Sequence, residues 1–380
     1  LIILIKIDDG KTRRDISASN MKETGMDSGL ENVVAAETIL SDVDGLNGRL
    51  VIRGWPVETL AASMAFEDAA HLLWQDLFAD LPDVPALGAQ LGAARVAVAA
   101  RLKDIPDGLD VISGLRVGWS LLPDEETLDS AVLLAAAAPV LTAAAIRRGR
   151  GLAPVAPDAD ISQSADFLRM LTGDMPDPAA ARALDAYLVT VCDHGLNAST
   201  FAARVVASTR AGLVSAAVAG LSALKGPLHG GAPGPVLDMV DAIGAPENAE
   251  DWIDGALSRG DRLMGFGHRV YRVRDPRADA LKAAVARLPG TAGRIAFAEH
   301  VERAVLGRLA QKYPQRRLET NVEFYTALLL EALGLPREAF TPVFACGRIL
   351  GWTAHAREQI GEGRLVRPRS VYRGPVPVAA

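Results

Sequence analysis

Three times in this chain a proline stands directly behind a residue that caps helices. Asp177-Pro178, Asp275-Pro276 and Thr341-Pro342 each precede an apolar run. An Asp or Thr side-chain oxygen takes up unpaired N–H groups at a helix start, and proline at the next position sacrifices no hydrogen bond. The first run is alanine-rich and extends to about Cys192. The second, RADALKAAVARL, sets Ala278, Leu281, Val285 and Leu288 along one face. The third continues through FACGRILGWTAHAREQI to a stop near Gly361, and a further helix, about 322–333, closes on Gly334 and Pro336. Hydrophobic residues make up 49% of the chain but aromatics only 5%, so the apolar content is mostly Ala, Leu and Val. That composition favours helices over a sheet sandwich. The only strand-like stretch is GRLVIRGW (48–55), a short hairpin arm, and RGRGLAPVAPDAD (148–160) reads as a loop between helical sections. The expected fold is all-α, many packed helices, and 380 residues leave room for two domains.

Charge and cysteine usage narrow the function. The chain carries 46 acidic and 40 basic residues, net −6, which argues against a dedicated nucleic-acid binder. Two cysteines, Cys192 and Cys346, have no metal-type spacing and form no disulfide framework, as suits a reducing cytosol. No run approaches bilayer length on this reading. The opening LIILIKI lacks the cleavage site of a signal peptide. Residues 1–28 carry little pattern and are expected to form a disordered tail, with Met21 or Met26 as candidate starts.

Within this acidic chain, GFGHRVYRVRDPRA (265–278) gathers Arg269, Arg272, Arg274 and Arg277 around His268, with Asp275 the one carboxylate among them. If Asp275 caps a helix, Arg277 falls in its first turn, where the helix dipole disfavours a cation unless an anion arrives. Arginine's planar fork suits a carboxylate. His229, in LKGPLHGGAPGPVLDMV, lies before an apparent helix, a position that disfavours its charged form and leaves a neutral imidazole as donor. Glu323 falls in the first turn of the 322–333 helix. Its competing reading is a capping box, T-N-V-E, in which it merely holds the backbone of Thr320. DHGLNASTFAARVVAST puts His194 and Asn197 between two helices, Arg348 lies inside the last helix, and Arg367 belongs to a basic tail. No phosphate loop, complete dinucleotide fingerprint or H-E-x-x-H occurs.

Six blocks in order, GLENVVAAETILSDVDGLNGRLVIRGW, DHGLNASTFAARV, GPLHGGA, MGFGHRVYRVRDPRA, NVEFYTALLLEALGLP and FTPVFACGRILGWTAHAREQ, resemble the citrate synthase family over nearly the whole chain after residue 28. Only the section from about 75 to 180 matches loosely. The resemblance implies an all-helical fold, with a large domain (29–230 and 335–380) and a smaller one (231–334) that closes over the substrates. It implies condensation of acetyl-CoA with oxaloacetate and hydrolysis of the thioester, giving citrate and CoA, with no cofactor and no metal. By position, His229 looks like the residue that stabilises the thioester enolate and Glu323 like the base at the acyl α-carbon. His268 looks like the group polarising the oxaloacetate carbonyl. His194, Arg277 and Arg348 look like oxaloacetate ligands. Arg367 would come from the partner of a homodimer, and Arg272 would face the CoA phosphates. The implied location is cytoplasmic, with neither nucleic acid nor membrane as partner. Chemically, a carboxylate removes a thioester α-proton only if a preorganised donor stabilises the enolate oxygen.

The chain departs from the family pattern in places. Glu323 stands where aspartate is usual, and one further carbon bond of roughly 1.5 Å matters where a misplacement of about 1 Å costs on the order of 100-fold. Gly195 replaces a glutamate, Pro233 an asparagine, and Asp107-Gly108-Leu109-Asp110 stands in for a histidine-proline-methionine-aspartate stretch. The runner-up activity is 2-methylcitrate synthase, using propionyl-CoA. Another alternative is a catalytically weak homologue with a binding or regulatory role.

Overall fold

In the computed structural model, residues 29–30, 33–230 and 233–375 are described. The expected tail at 1–28 lies outside them. Contacts divide the chain into a short unit ending at Glu37 and a second unit from Thr38 onward. In the first, Val33–Glu37 run without regular structure and are mostly exposed.

The second unit opens with a three-stranded antiparallel sheet: β1 (Ser41–Asp44), β2 (Arg49–Ile52) and β3 (Trp55–Pro56), with Ser41 opposite Ile52. The anticipated hairpin arm is β2 and β3, and β1 adds a strand in front of it. At the β1–β2 turn the backbone of Gly45 lies against the 270–272 segment. Its carbonyl accepts from the Arg272 N–H at 2.8 Å, and a Cβ on Gly45 would sit 2.3 Å from the Val270 carbonyl oxygen.

Fifteen α-helices follow among the described residues: α1 (Val57–Ser63), α2 (Phe66–Trp74), α3 (Val84–Ala99), α4 (Val111–Ser120), α5 (Leu128–Gly149), α6 (Gln163–Thr172), α7 (Pro178–Val191), α8 (Ala198–Ala207), α9 (Leu213–Leu224), α10 (Pro233–Ile243), α11 (Ala249–Arg259), α12 (Pro276–Val285), α13 (Ala292–Lys312), α14 (Val322–Ala332) and α15 (Phe340–Glu362). Asp177 and Asp275 cap α7 and α12 with proline behind them, as their sequences required. The third signal misled. A 3-10 turn at Arg337–Ala339 runs straight into α15, and Thr341 lies inside the helix with its hydroxyl donating to the Gly230 carbonyl at 2.8 Å.

At the centre, α5 and α15 cross with Ala135–Ala138 fully buried, and these small side chains let the backbones approach closely. Contrary to the sequence expectation, α5 is long and apolar enough to cross a membrane, but 83% of its apolar window is buried inside the fold. It is a core helix. Around this pair pack α2, α3, α4, α7, α8 and α9. On the far side α12 rests on α7, and α14 on α12 and α10. Most of the chemistry-bearing segments come from the ends of these helices, with Arg348 inside α15.

Candidate active site

Each helix end is shaped by local sequence. α7 stops at Val191, and the turn Asp193–Asn197 carries His194 before Asn197 caps α8 through its side-chain oxygen. The segment Gly265–Arg274 leads into α12. Its Phe266 pairs with Thr320, just ahead of α14, as an isolated β-bridge. Asn321 caps α14 by accepting from the Glu323 N–H at 3.0 Å, while its amide donates to the Gly267 carbonyl at 2.9 Å. One side chain thereby joins the segment bearing His268 to the start of α14, which bears Glu323. The capping-box reading of Glu323 fails. Thr320 gives its hydroxyl to Glu302 at 2.6 Å, and the Glu323 carboxyl makes no cap.

His194, His268 and Tyr271 form a ring cluster, with centroids 5.8 Å apart for the two histidines and 4.8 Å for His268 and Tyr271. His194 Nε2 lies 3.1 Å from the Tyr271 hydroxyl. His268 Nδ1 accepts the backbone N–H groups of Val270 and Tyr271, both at 3.0 Å. A neutral His268 therefore carries its proton on Nε2, as a donor. Burial, reinforced by Arg277, pushes His268 down to about 4 and His194 well below the ordinary histidine range. Both are neutral at pH 7.

His229 sits in the turn before α10, its Nε2 2.8 Å from Ser199 Oγ on α8. Trp352 donates to that same oxygen at 3.2 Å. The Ser199 hydroxyl faces two acceptors, Asn197 Oδ1 at 2.8 Å and His229 Nε2, and its single proton serves whichever of them the imidazole tautomer leaves open. Burial and then Arg348 push His229 down to about 4. The neutral imidazole was expected, but its cause is burial beside a guanidinium rather than a helix terminus.

Two buried arginines supply the charge. Arg277 is not the unpaired cation that its place in the helix implied: it grips its own cap, Asp275, with Nε and Nη2 at 3.0 and 2.8 Å. Arg348 is the unpaired one. It is 1% exposed, its Nε donates to the Val191 carbonyl at 2.6 Å, and its guanidinium lies 4.7 Å from the Phe344 ring centre. No carboxylate lies within ion-pair distance of it among the described residues, and burial pushes it down to about 10. Glu323 feels burial first and Arg277 second, and rises to about 7.

Arg277 thus acts on His194, His268 and Glu323, and Arg348 on His194 and His229. The result is a cluster of neutral imidazoles, a buried guanidinium with no carboxylate in ion-pair contact and only the more distant Asp193 acting on it, and a carboxyl that titrates near neutrality. It suits an anion whose carbon chemistry needs a base and a donor. Arg272 and Arg367 are exposed, and this single chain does not bring their side chains into the cluster. Sequence reading missed Ser199 and Tyr271, although Ser199 lies two residues after Asn197 and Tyr271 three after His268. Among the described residues no group of three His, Cys, Asp or Glu is placed to hold a metal.

The family model "Citrate synthase, C-terminal domain" matches residues 29–369. "Putative citrate synthase 2" of Mycobacterium tuberculosis (strain H37Rv) is 38% identical over 356 residues, covering 92% of this chain and 93% of that one. The 2-methylcitrate synthase of the same strain is 35% identical over 357 residues, covering 91% and 90%. Citrate synthase from the archaeon Thermoplasma acidophilum, solved as a ternary complex with carboxymethyl coenzyme A and oxaloacetate, superposes with a TM-score of 0.82 at 27% identity, covering 93% of this chain and 98% of that one. With the all-helical fold and the convergent site, these matches make the chain a member of the citrate synthase family.

Proposed function

We propose that this protein condenses acetyl-CoA with oxaloacetate and hydrolyses the resulting thioester to citrate and CoA. The observation that carries the reading is Arg348, buried without a carboxylate partner, beside Arg277 and three histidines that are neutral at pH 7. Holding a guanidinium in the interior without an anion is unfavourable, and a dicarboxylate such as oxaloacetate relieves it. Arg277, Arg348 and His194 hold the dianion, and His268 donates from Nε2 to its keto oxygen. Glu323, once ionised, removes the acyl α-proton while neutral His229 stabilises the enolate oxygen as a hydrogen-bond donor. The enolate carbon then attacks the keto carbon, and water cleaves the thioester.

The same reading makes residues 231–334 a smaller domain that closes on the 29–230 and 335–380 flanks and excludes water. It makes the enzyme a homodimer in which Arg367 completes the partner's site and Arg272 faces the CoA phosphates. Cys192 and Cys346, free and buried, fit the cytoplasm. The 35% identical 2-methylcitrate synthase supports propionyl-CoA as the second candidate substrate. One methyl group is worth only about 1–3 kcal/mol of discrimination.

The test is thiol release from acetyl-CoA and from propionyl-CoA, each with and without oxaloacetate, for wild type and Glu323→Asp. Oxaloacetate-dependent release by wild type, faster with acetyl-CoA, is expected. Release by neither protein with either thioester would overturn the reading. Release only by the Asp variant would leave the wild-type chain a binding protein.

A further inference from the structure

Behind the ring cluster a line of buried polar groups runs through α8 and α15 to the turn that carries His194. Arg204, 1% exposed, donates from Nε to Gln359 at 2.9 Å and pairs with Glu358 and Glu362 at 2.5 and 3.1 Å. Its Nη1 also lies 3.1 Å from Nδ1 of the fully buried His355. A guanidinium only donates, so Nδ1 of His355 accepts and the ring proton sits on Nε2. That Nε2–H faces the fully buried Asp193, 3.2 Å from Oδ1 and 3.4 Å from Oδ2.

Asp193 in turn fixes the turn. Its Oδ2 accepts the Ser41 hydroxyl and, at 3.2 Å, the Gly195 N–H, which also reaches Ser41 Oγ at 3.0 Å. The backbone is clamped as well. The Gly351 N–H of α15 donates to the Cys192 carbonyl at 3.1 Å, and a Cβ on Gly351 would lie 2.4 Å from that oxygen. His194 is therefore flanked on both sides by groups that the His355–Asp193 contact orients.

We propose that His355 is a positioning residue for oxaloacetate recognition: it receives Arg204, presents Nε2–H to Asp193, and so sets the Asp193–His194–Gly195 turn and the direction of the His194 ring. This rests on the reading of His194 as an oxaloacetate ligand. His355 touches no reacting atom. Its contribution is a directional pair of hydrogen bonds that a side chain of similar bulk without them does not reproduce.

The experiment compares His355→Leu, His355→Gln and Ser41→Ala with wild type in the full chain, reading oxaloacetate Kd by calorimetry, KM for each substrate, and Tm. Orienting partners of this kind are typically worth about 10–100-fold. The expected result for His355→Leu is an oxaloacetate Kd and KM raised about tenfold or more, with the acyl-CoA KM within about threefold of wild type. Glutamine offers an N–H to Asp193 and an oxygen to Arg204, so His355→Gln should stay within about threefold of wild type on both. Ser41→Ala should shift oxaloacetate binding in the same direction by a smaller factor, and serves if His355→Leu does not fold. A lower Tm with unchanged oxaloacetate binding in both His355→Leu and Ser41→Ala would overturn the proposal, and so would an equal loss in the Leu and Gln variants. His194→Ala separates the two layers. If it leaves oxaloacetate Kd unchanged, the ligand reading has failed; if it weakens Kd while His355→Leu does not, the positioning role has failed.

Discussion

At the residue scale, Glu323 and Arg348 are each held in a state that folding alone disfavours. The carboxyl of Glu323 rises from 4.5 to about 7 because burial outweighs the pull of Arg277. As a base it must be ionised, so kcat is expected to climb about tenfold per pH unit below 7 and level off above it, and a pH–rate profile checks this. Stability takes the opposite sign. The folded chain holds this proton more tightly than the unfolded chain, so the contribution is complete below about pH 4.5 and lost as pH rises through about 7. At pH 8, Glu323→Gln should raise Tm while abolishing turnover, the difference being at most roughly 3 kcal/mol. Arg348→Leu follows the same logic. Calorimetry without ligand should give a higher Tm, and oxaloacetate binding should weaken by at least about 100-fold, since a buried unpaired charge has been exchanged for an apolar side chain. Neither state can be read from residue type. The sequence placed the demand for an anion at Arg277, because that residue sits in a helix's first turn. The structure gives Arg277 to Asp275 and leaves the demand at Arg348, whose isolation depends on what α7 and α15 bring alongside it.

At the element scale, helix starts with a capping side chain followed by proline were legible because the capping bond is local. Asp177 and Asp275 occupy the cap positions that spacing implied. Thr341-Pro342 carried the same letters but lay one turn into a helix that a 3-10 turn had already begun, and composition holds no signal for such a run-in. The Thr320–Glu323 spacing matched a capping box, yet Asn321 is the cap, and Thr320 is drawn away by Glu302 on α13, eighteen residues earlier. Long-range competition of this kind decides most local ambiguities and leaves no periodic trace. Asn321 offers a direct check. Asn321→Ala should lower stability by about 1 kcal/mol in a denaturant titration through loss of the cap. It should also lower kcat, because the tie to the Gly267 carbonyl that holds the His268 segment against α14 is lost. Asn321→Asp keeps the cap and removes the tie, so it should spare stability and not kcat.

At the scale of the whole molecule, the all-helical architecture followed from alanine content and cap spacing, whereas Ser199, Tyr271 and His355 joined the site only through packing between α8, α15 and the segment before α12. The exposed Arg367 leads to a prediction about assembly. If it completes the partner's site, Arg367→Ala and His229→Ala are each inactive alone, yet subunits of the two mixed and reassociated recover about a quarter of wild-type activity, since half the dimers are mixed and one of their two sites is intact. Activity of the mixture equal to the sum of the parts would remove Arg367 from the site. The buried, unpaired Arg348 also has a practical bearing on handling. A protein with a buried guanidinium that has no ion-pair partner favours whatever small dianion its surroundings offer at that site. Purified in phosphate, malate or citrate it should melt several degrees higher than in Tris chloride, by the ordinary linkage between ligand occupancy and unfolding. Preparations that differ only in buffer salt will then differ in apparent affinity for oxaloacetate, and dialysis history becomes a variable in every binding constant recorded for it.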